Sequence, residues 1–215
     1  MMKLIFAFFF AFFLLVGPAA SAQLSLGTNF GVRSVSPASI NDTSSVDALQ
    51  IKSVTTFGIE LIYTSQFPIG IKYDGDSVDK TANVSGTAAQ RKISSSWLSL
   101  IGGYTFYGAE GFSMDGIQAS VLGQFGLVHS SKLSVIDNVN NVSDVSGKSA
   151  SSLGAYLEVT KTWETFILGA QLGYLQRKIK DFEVSSDTFI VDSNGSRVEV
   201  DLSGPITNLI LGFRF

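Results

Sequence analysis

Cysteine is absent from the 215 residues, and histidine occurs once, at His129. A chain without cysteine has no disulfide framework, and one of this size needs none if it closes a large β-structure. Charge is also sparse. Fifteen Lys plus Arg stand against 18 Asp plus Glu, for a net charge of −3, and no nucleic-acid partner is suggested. After Val16 no apolar run approaches the ~20 residues that a spanning helix needs. A helical membrane protein is thereby excluded, and only a closed β-barrel could cross a bilayer.

The one long apolar run lies at the start, from Leu4 to Val16 after Lys3. It is too short to span and is followed by Gly17-Pro18 and Ala19-Ala20-Ser21-Ala22. Ala20-Ser21-Ala22 has the A-x-A form that signal peptidase cuts. Residues 1–22 therefore read as a cleaved signal peptide, with the cut between Ala22 and Gln23. The single remaining domain, 23–215, is exported.

From Gln23 onward, segments of about ten residues carry apolar side chains at every second position, and period two means strand. Leu24, Leu26, Phe30 and Val32 share one face of the first such segment. Phe57, Ile59, Leu61 and Tyr63 share one of the second, and Ile69, Ile71 and Tyr73 one of the third. Leu98, Leu100, Tyr104 and Phe106 mark the fourth; Ile117, Val121, Phe125 and Leu127 the fifth. Leu153, Leu157 and Val159 mark the sixth, and Phe166, Leu168, Leu172 and Tyr174 the seventh. Leu209, Leu211, Phe213 and Phe215 end the eighth. Short connections near Thr64 to Pro68, Tyr107 to Gly111 and Thr162-Trp163 alternate with four long polar ones. The long ones run from Ser34 to Lys52, Gly75 to Ser94, Ser130 to Ser151 and Lys178 to Ser203. Alternation of short turns and long loops is the pattern of a barrel with its turns in the periplasm and its loops outside. The reading is an all-β, eight-stranded antiparallel up-and-down transmembrane β-barrel, with the N- and C-termini periplasmic.

The faces opposite the apolar ones carry Arg33, Glu60, Lys72, Glu158, Arg177 and Arg214 among glycines. A soluble core would not tolerate this set, whereas a narrow membrane barrel turns it inward and its apolar face to lipid. A hairpin centred on Gln66 sets Glu60 opposite Lys72, so an interior ion pair is expected there. Arg214 or Arg33 is the expected partner of Glu158. Interior glycines such as Gly31, Gly70, Gly154 and Gly173 suggest room for a cavity. Face parity changes between Phe106 and Ile117, so a bulge is expected near Gly116.

Tyr63, Phe67, Phe106, Tyr107, Phe112, Trp163, Phe166, Phe213 and Phe215 fall near the short turns or the C-terminus, forming a periplasmic-side aromatic girdle. Tyr73, Trp97 and Tyr174 are candidates for the opposite rim. The last strand alternates and ends in Phe215. Here the chain resembles eight-stranded bacterial outer-membrane barrels of the OmpA transmembrane-domain, OmpX and OmpW kind, over its whole length after the signal peptide. That resemblance implies a Gram-negative outer-membrane location and a role for Phe215 as part of the signal read by the barrel-assembly machinery. No periplasmic domain is expected after Phe215.

Three loop features invite a chemical reading. Asn194-Gly195 suggests a tight hairpin joining 182–192 to 197–202. Asp74, Asp76 and Asp79 lack a calcium-loop pattern and read as a solvated acidic loop rather than a metal site. His129-Ser130-Ser131 is similar to the His-x-Ser of eight-stranded lipid A deacylases, and parity puts His129 and Ser131 outward. Lys132 replaces that family's Asn, however, and no Glu follows to orient the base before Glu158, which points inward. The expected function is a non-enzymatic structural or surface-interaction role through the four outer loops, without cofactor or metal. Its partners would be outer-membrane lipid, lipopolysaccharide and an extracellular protein or surface ligand. The alternative is a narrow transporter for small hydrophobic molecules, as the OmpW resemblance implies.

Overall fold

The computed structural model describes residues 23–37, 47–84, 86–108, 116–136, 141–185, 188–189 and 197–215. The expected signal peptide, Phe112 and the Asn194-Gly195 turn lie outside these residues. Alternation of side-chain chemistry produces strands β1 (Gln23–Ser34), β2 (Ser53–Thr64), β3 (Ile69–Val84), β4 (Thr87–Tyr107), β5 (Gly116–Ile136), β6 (Asn141–Trp163) and β7 (Phe166–Ser185). Two short pieces, β8 (Thr188–Phe189) and β9 (Val200–Asp201), precede β10 (Gly204–Arg214). Each long strand pairs antiparallel with the next, β7 pairs β10, and β10 pairs β1. The ring therefore closes on eight strands.

One end of the ring gathers both ends of the described chain and the tight turns. Gln23 pairs Thr64, the Arg214 N–H donates to Thr165 O at 2.7 Å, and the Phe215 N–H donates to Leu24 O at 2.8 Å. Glu164, in the β6–β7 turn, takes a positive φ of 49°.

The strands run far past the apolar belt, and most of what read as long loops is strand. β6 has 23 residues, or on the order of 75 Å of extended chain, where about 9–11 residues suffice to cross the bilayer. The extension escapes a search for outward apolar residues because the alternation changes phase. Within the belt Leu24, Phe30, Phe57, Leu98, Leu153 and Leu209 point outward and are exposed. Beyond it Val35, Val54, Val78, Ile93, Leu133, Val145, Ile179 and Phe182 point inward and are buried, while Ser77, Asp79, Lys92, Lys132 and Lys180 face out. The barrel is thus membrane-like at the turn end and soluble-like at the other.

Two register shifts set the detail. The parity change between β4 and β5 falls between Thr105 and Tyr107, on β4, rather than near Gly116. A second shift pairs Ser96 with Ser130 and Trp97 with Val128, so His129 has no partner across β4. β8 pairs antiparallel with the end of β7, setting Glu183 opposite Phe189. A continuous strand over 182–192 is therefore not formed. β9 then returns along β7, with Ile179 opposite Val200.

Candidate functional site

The interior is built in three layers, which together decide what the barrel can pass. At the turn end a cavity of about 30 Å³ is lined by residues including Ser25, Glu60, Thr105, Gln118, Glu158 and Arg214. That is space for about two waters. Within that lining the Arg214 guanidinium donates to Gln118 Oε1 at 2.6 Å.

Above it lies a polar lattice carried by strands whose inward positions are small enough to let long side chains cross. Glu60 stands opposite Lys72 in the β2–β3 ladder, with Lys72 Nζ 3.9 Å from its carboxylate, and Asn29 Nδ2 donates to the same oxygen at 3.2 Å. Glu158 accepts from Gln171 Nε2 at 2.7 Å. Asn208 Nδ2 donates onward to Gln171 Oε1 at 3.0 Å, and Thr56 Oγ1 donates to Asn208 Oδ1 at 3.1 Å. Tyr156 hydrogen-bonds Gln124, which donates to Ser99 Oγ at 2.8 Å. Lys72 Nζ sits 5.5 Å from the Tyr156 ring centre, a cation–π contact. Neither arginine expected beside Glu158 is its partner. Arg214 donates to Gln118, and Arg33 lies against Asp76.

The third layer is a buried net of four charges. Arg177 donates to both Asp74 oxygens at 2.6 and 2.8 Å and to Asp76 Oδ2 at 2.8 Å. Arg33 approaches Asp76 Oδ2 at 2.8 Å from β1, a contact of charges without hydrogen-bond alignment. Ser152 Oγ accepts from Arg177 Nε at 3.2 Å, and the guanidinium lies 4.7 Å from the Trp97 ring centre. Two arginines and two aspartates cancel, which is what makes burial of this layer tolerable. Two expectations change here. Asp74 and Asp76 are buried strand residues rather than members of a solvated loop, because β3 continues past Gly75 without breaking. Asp79 alone is exposed, accepting from Gln90. Trp97 is inside the barrel rather than on the outer rim, since Leu98 takes the outward position.

Over the charge net sits the apolar plug of Val35, Ile51, Val54, Ile93, Trp97, Ile179, Phe182, Val200 and Leu202, closed by the 3-10 turn Asp47–Leu49. The interior glycines do not open a passage. A Cβ on Gly31 would lie 2.1 Å from Thr207 O, and one on Gly173 2.1 Å from Ala155 O. Their missing side chains are replaced by close backbone, so the strands approach where a cavity was expected.

On the outer wall, Trp163 stacks on Phe166 at 6.3 Å and Phe166 meets Phe213 edge-on at 6.0 Å. Phe106 and Phe215 are also exposed, and Tyr63 is half-buried. The His-x-Ser reading loses its geometry. Ser131 is buried after the register shift, with its hydroxyl donating to Gly147 O at 3.3 Å and accepting from the Gly147 N–H at 3.2 Å. The His129 side chain lies outside what the structure describes. No group of three or more acidic, His or Cys side chains that could hold a metal occurs among the described residues.

A closed eight-strand ring with an apolar outer wall and a charged, hydrogen-bonded interior defines a membrane-spanning β-barrel of the outer-membrane type. No family model and no curated protein sequence matches the chain. Among solved structures it is similar to Neisserial surface protein A (NspA), with a TM-score of 0.47 and 15% identity over 90% of this chain and 97% of that one. It is also similar to Ail, the attachment invasion locus protein of Yersinia pestis, solved with the heparin analogue sucrose octasulfate. That match has a TM-score of 0.42 and 13% identity, over 90% and 97% of the two chains. The outer membrane protein OprG from Pseudomonas aeruginosa matches with a TM-score of 0.46 and 14% identity, over 91% and 96%.

Proposed function

We propose that this barrel is a non-conducting, non-enzymatic outer-membrane protein that works through its outer surface: the strand extensions, their loops and the lipid-facing wall. The turn end and both termini lie in the periplasm, and the extensions stand outside the cell among lipopolysaccharide and extracellular ligands. One observation carries the reading. Among the described residues the interior is filled by the polar lattice, the charge net and the apolar plug, which leave a solute no continuous path.

The test is single-channel conductance of the refolded protein in a planar bilayer, beside Glu60→Ala and Lys72→Ala variants. Silence from the unmodified protein is expected, and the variants should stay silent because the charge net and plug are untouched. Steady openings in the native barrel, widened when the Glu60–Lys72 pair is broken, would replace the proposal with a transport role.

A further inference from the structure

The outer wall is not uniform where the apolar belt gives way to the extensions. On β2 and β3 the outward side chains Phe57, Ile59 and Tyr73 surround Gly75, leaving a groove of about 350 Å³ with an almost wholly apolar lining. That is the size of a small-ligand site, about 300–1,000 Å³. It opens outward, so its natural occupant is hydrocarbon. The ladder register shows what lies beside it. Gly75 pairs Ser96 and Ser96 pairs Ser130, with the two serine hydroxyls 2.8 Å apart. One step further from the belt, Thr55 pairs Ser77, Ser77 pairs Ser94, and Ser94 pairs Lys132. Lys92, two residues beyond Ser94 on the same face, is the diagonal neighbour of Lys132.

Along the outward face of β2 to β5 the order is therefore groove, hydroxyl step, lysines. An amphiphile with an acyl chain, a sugar and a phosphate presents its groups in that order. Lys132 and Lys92 are exposed, and neither forms a salt bridge with another described residue. Asp79 stands across from Lys92 but is engaged by Gln90 through both carboxylate oxygens, at 2.9 and 3.1 Å. Lys132, flanked by serines on β4 and β6, is thus the better phosphate seat.

We propose that this face is a docking surface for a phosphorylated glycolipid of the outer leaflet. One acyl chain lies in the Gly75 groove, the sugar rests on Ser94, Ser96 and Ser130, and a phosphate is held by Lys132 with Lys92. The site rests on the outward-working reading above, because it requires the extensions to stand in the outer leaflet.

The experiment is lipid titration of the full barrel, purified in detergent, by native mass spectrometry. Three probes are used: the bisphosphorylated acylated disaccharide of lipid A, phosphatidylglycerol, and a neutral glycosyl diacylglycerol. Lipid A should bind most tightly. Lys132→Glu with Lys92→Glu should weaken it about tenfold, the scale expected when an exposed attraction to phosphate is replaced by repulsion. Gly75→Leu should weaken all three lipids by filling the groove. The reversed charge at Lys161→Glu, at the turn end, should change nothing in lipid A binding. Equal retention of lipid A by the native barrel and the double-lysine variant would overturn the site, as would equal affinity for lipid A and phosphatidylglycerol. Folding of each variant is checked by circular dichroism, above all for Gly75→Leu, whose Cβ would lie 3.0 Å from Ser95 O. Conductance of the native barrel tests the underlying reading separately, and a conducting barrel with intact lipid selectivity would leave the site standing alone.

Discussion

Asp74 and Arg177, 103 residues apart in the chain, meet across the lumen in a two-oxygen hydrogen bond at 2.6 and 2.8 Å. Arg177 also holds Asp76, so it answers two buried carboxylates at once. Arg177→Met would leave Arg33 as the sole counter-charge of both. Loss of one partner from a buried pair costs about 3–5 kcal/mol. The variant should unfold at clearly lower urea than the native protein when both are refolded in phospholipid vesicles. Arg33→Met should shift the midpoint less, because Arg177 still neutralises Asp76. A native-like midpoint for Arg177→Met would show that the net contributes nothing to stability.

The strap that returns along β7 should respond to acid. Hydrogen bonds from Lys180 and Lys178 hold Glu199 below the ordinary carboxylate range. Burial pushes Asp201 up, but hydrogen bonds from Ser203 and Lys178 outweigh it and leave this group low as well. The same contacts raise Lys178. Depressed carboxylates stabilise the fold above their unfolded values, about 3.9 and 4.3, and the contribution is lost as pH falls through the lower folded values. The raised lysine acts below about 10.4, and its contribution fades as pH rises through the folded value. The Leu202 amide, which donates to Arg177 O at 2.8 Å, reports on the strap. Its hydrogen-exchange protection, corrected for intrinsic rate, should hold from about pH 5 to 10 and fall near pH 3. Protection at pH 3 equal to that at pH 7 would mean that the ion pairs do not hold the strap.

Two glycines of the wall differ in what an added methyl would meet. At Gly173 a Cβ would lie 2.1 Å from Ala155 O and 2.8 Å from Tyr156 Cα; at Gly123 its nearest neighbour is 3.6 Å away. Gly173→Ala should therefore force the β6–β7 ladder apart and cost at least the 1–3 kcal/mol or so of an overpacked site. Gly123→Ala should refold like the native chain. Equal refolding yields in vesicles would show that the β6–β7 approach relaxes freely.

These contacts also mark where the sequence is readable. Glu60 opposite Lys72 follows from a short turn, because a tight hairpin fixes the register of everything above it. Arg33–Asp76 and Arg177–Asp74 do not follow, since they join β1 to β3 and β7 to β3 across the lumen, where no ladder connects them. Ser131 is misplaced by parity because one unpaired residue, His129, reverses the faces beyond it. The extensions are hidden for a related reason. Lys178-Ile179-Lys180 alternates as regularly as the belt strands do, but its apolar residue points inward, so a search for one outward stripe ends at Tyr174. The phase inversion itself was the available signal: Val78, Ile93 and Ile179 each sit between polar outward neighbours.

The two tryptophans provide a test of which wall meets lipid. Trp97 has no exposed surface and lies under the Arg177 guanidinium, whereas Trp163 is 45% exposed on the outer face beside Phe166. Lys161 Nζ stands 5.7 Å from the Trp163 ring centre, which places the indole where an apolar body and a wet, charged neighbour are both satisfied. In vesicles of brominated phospholipid, the Trp163→Phe variant, which keeps only Trp97, should lose almost no fluorescence. Trp97→Phe, which keeps Trp163, should be quenched strongly, and most by bromines close to the headgroup end of the chains. Acrylamide added outside should leave Trp97 unquenched as well, because the plug and charge net enclose it. Strong bromolipid quenching of Trp97 would invert the assignment of faces on β4 and, with it, the placement of Asp74, Asp76 and Arg177 in the interior.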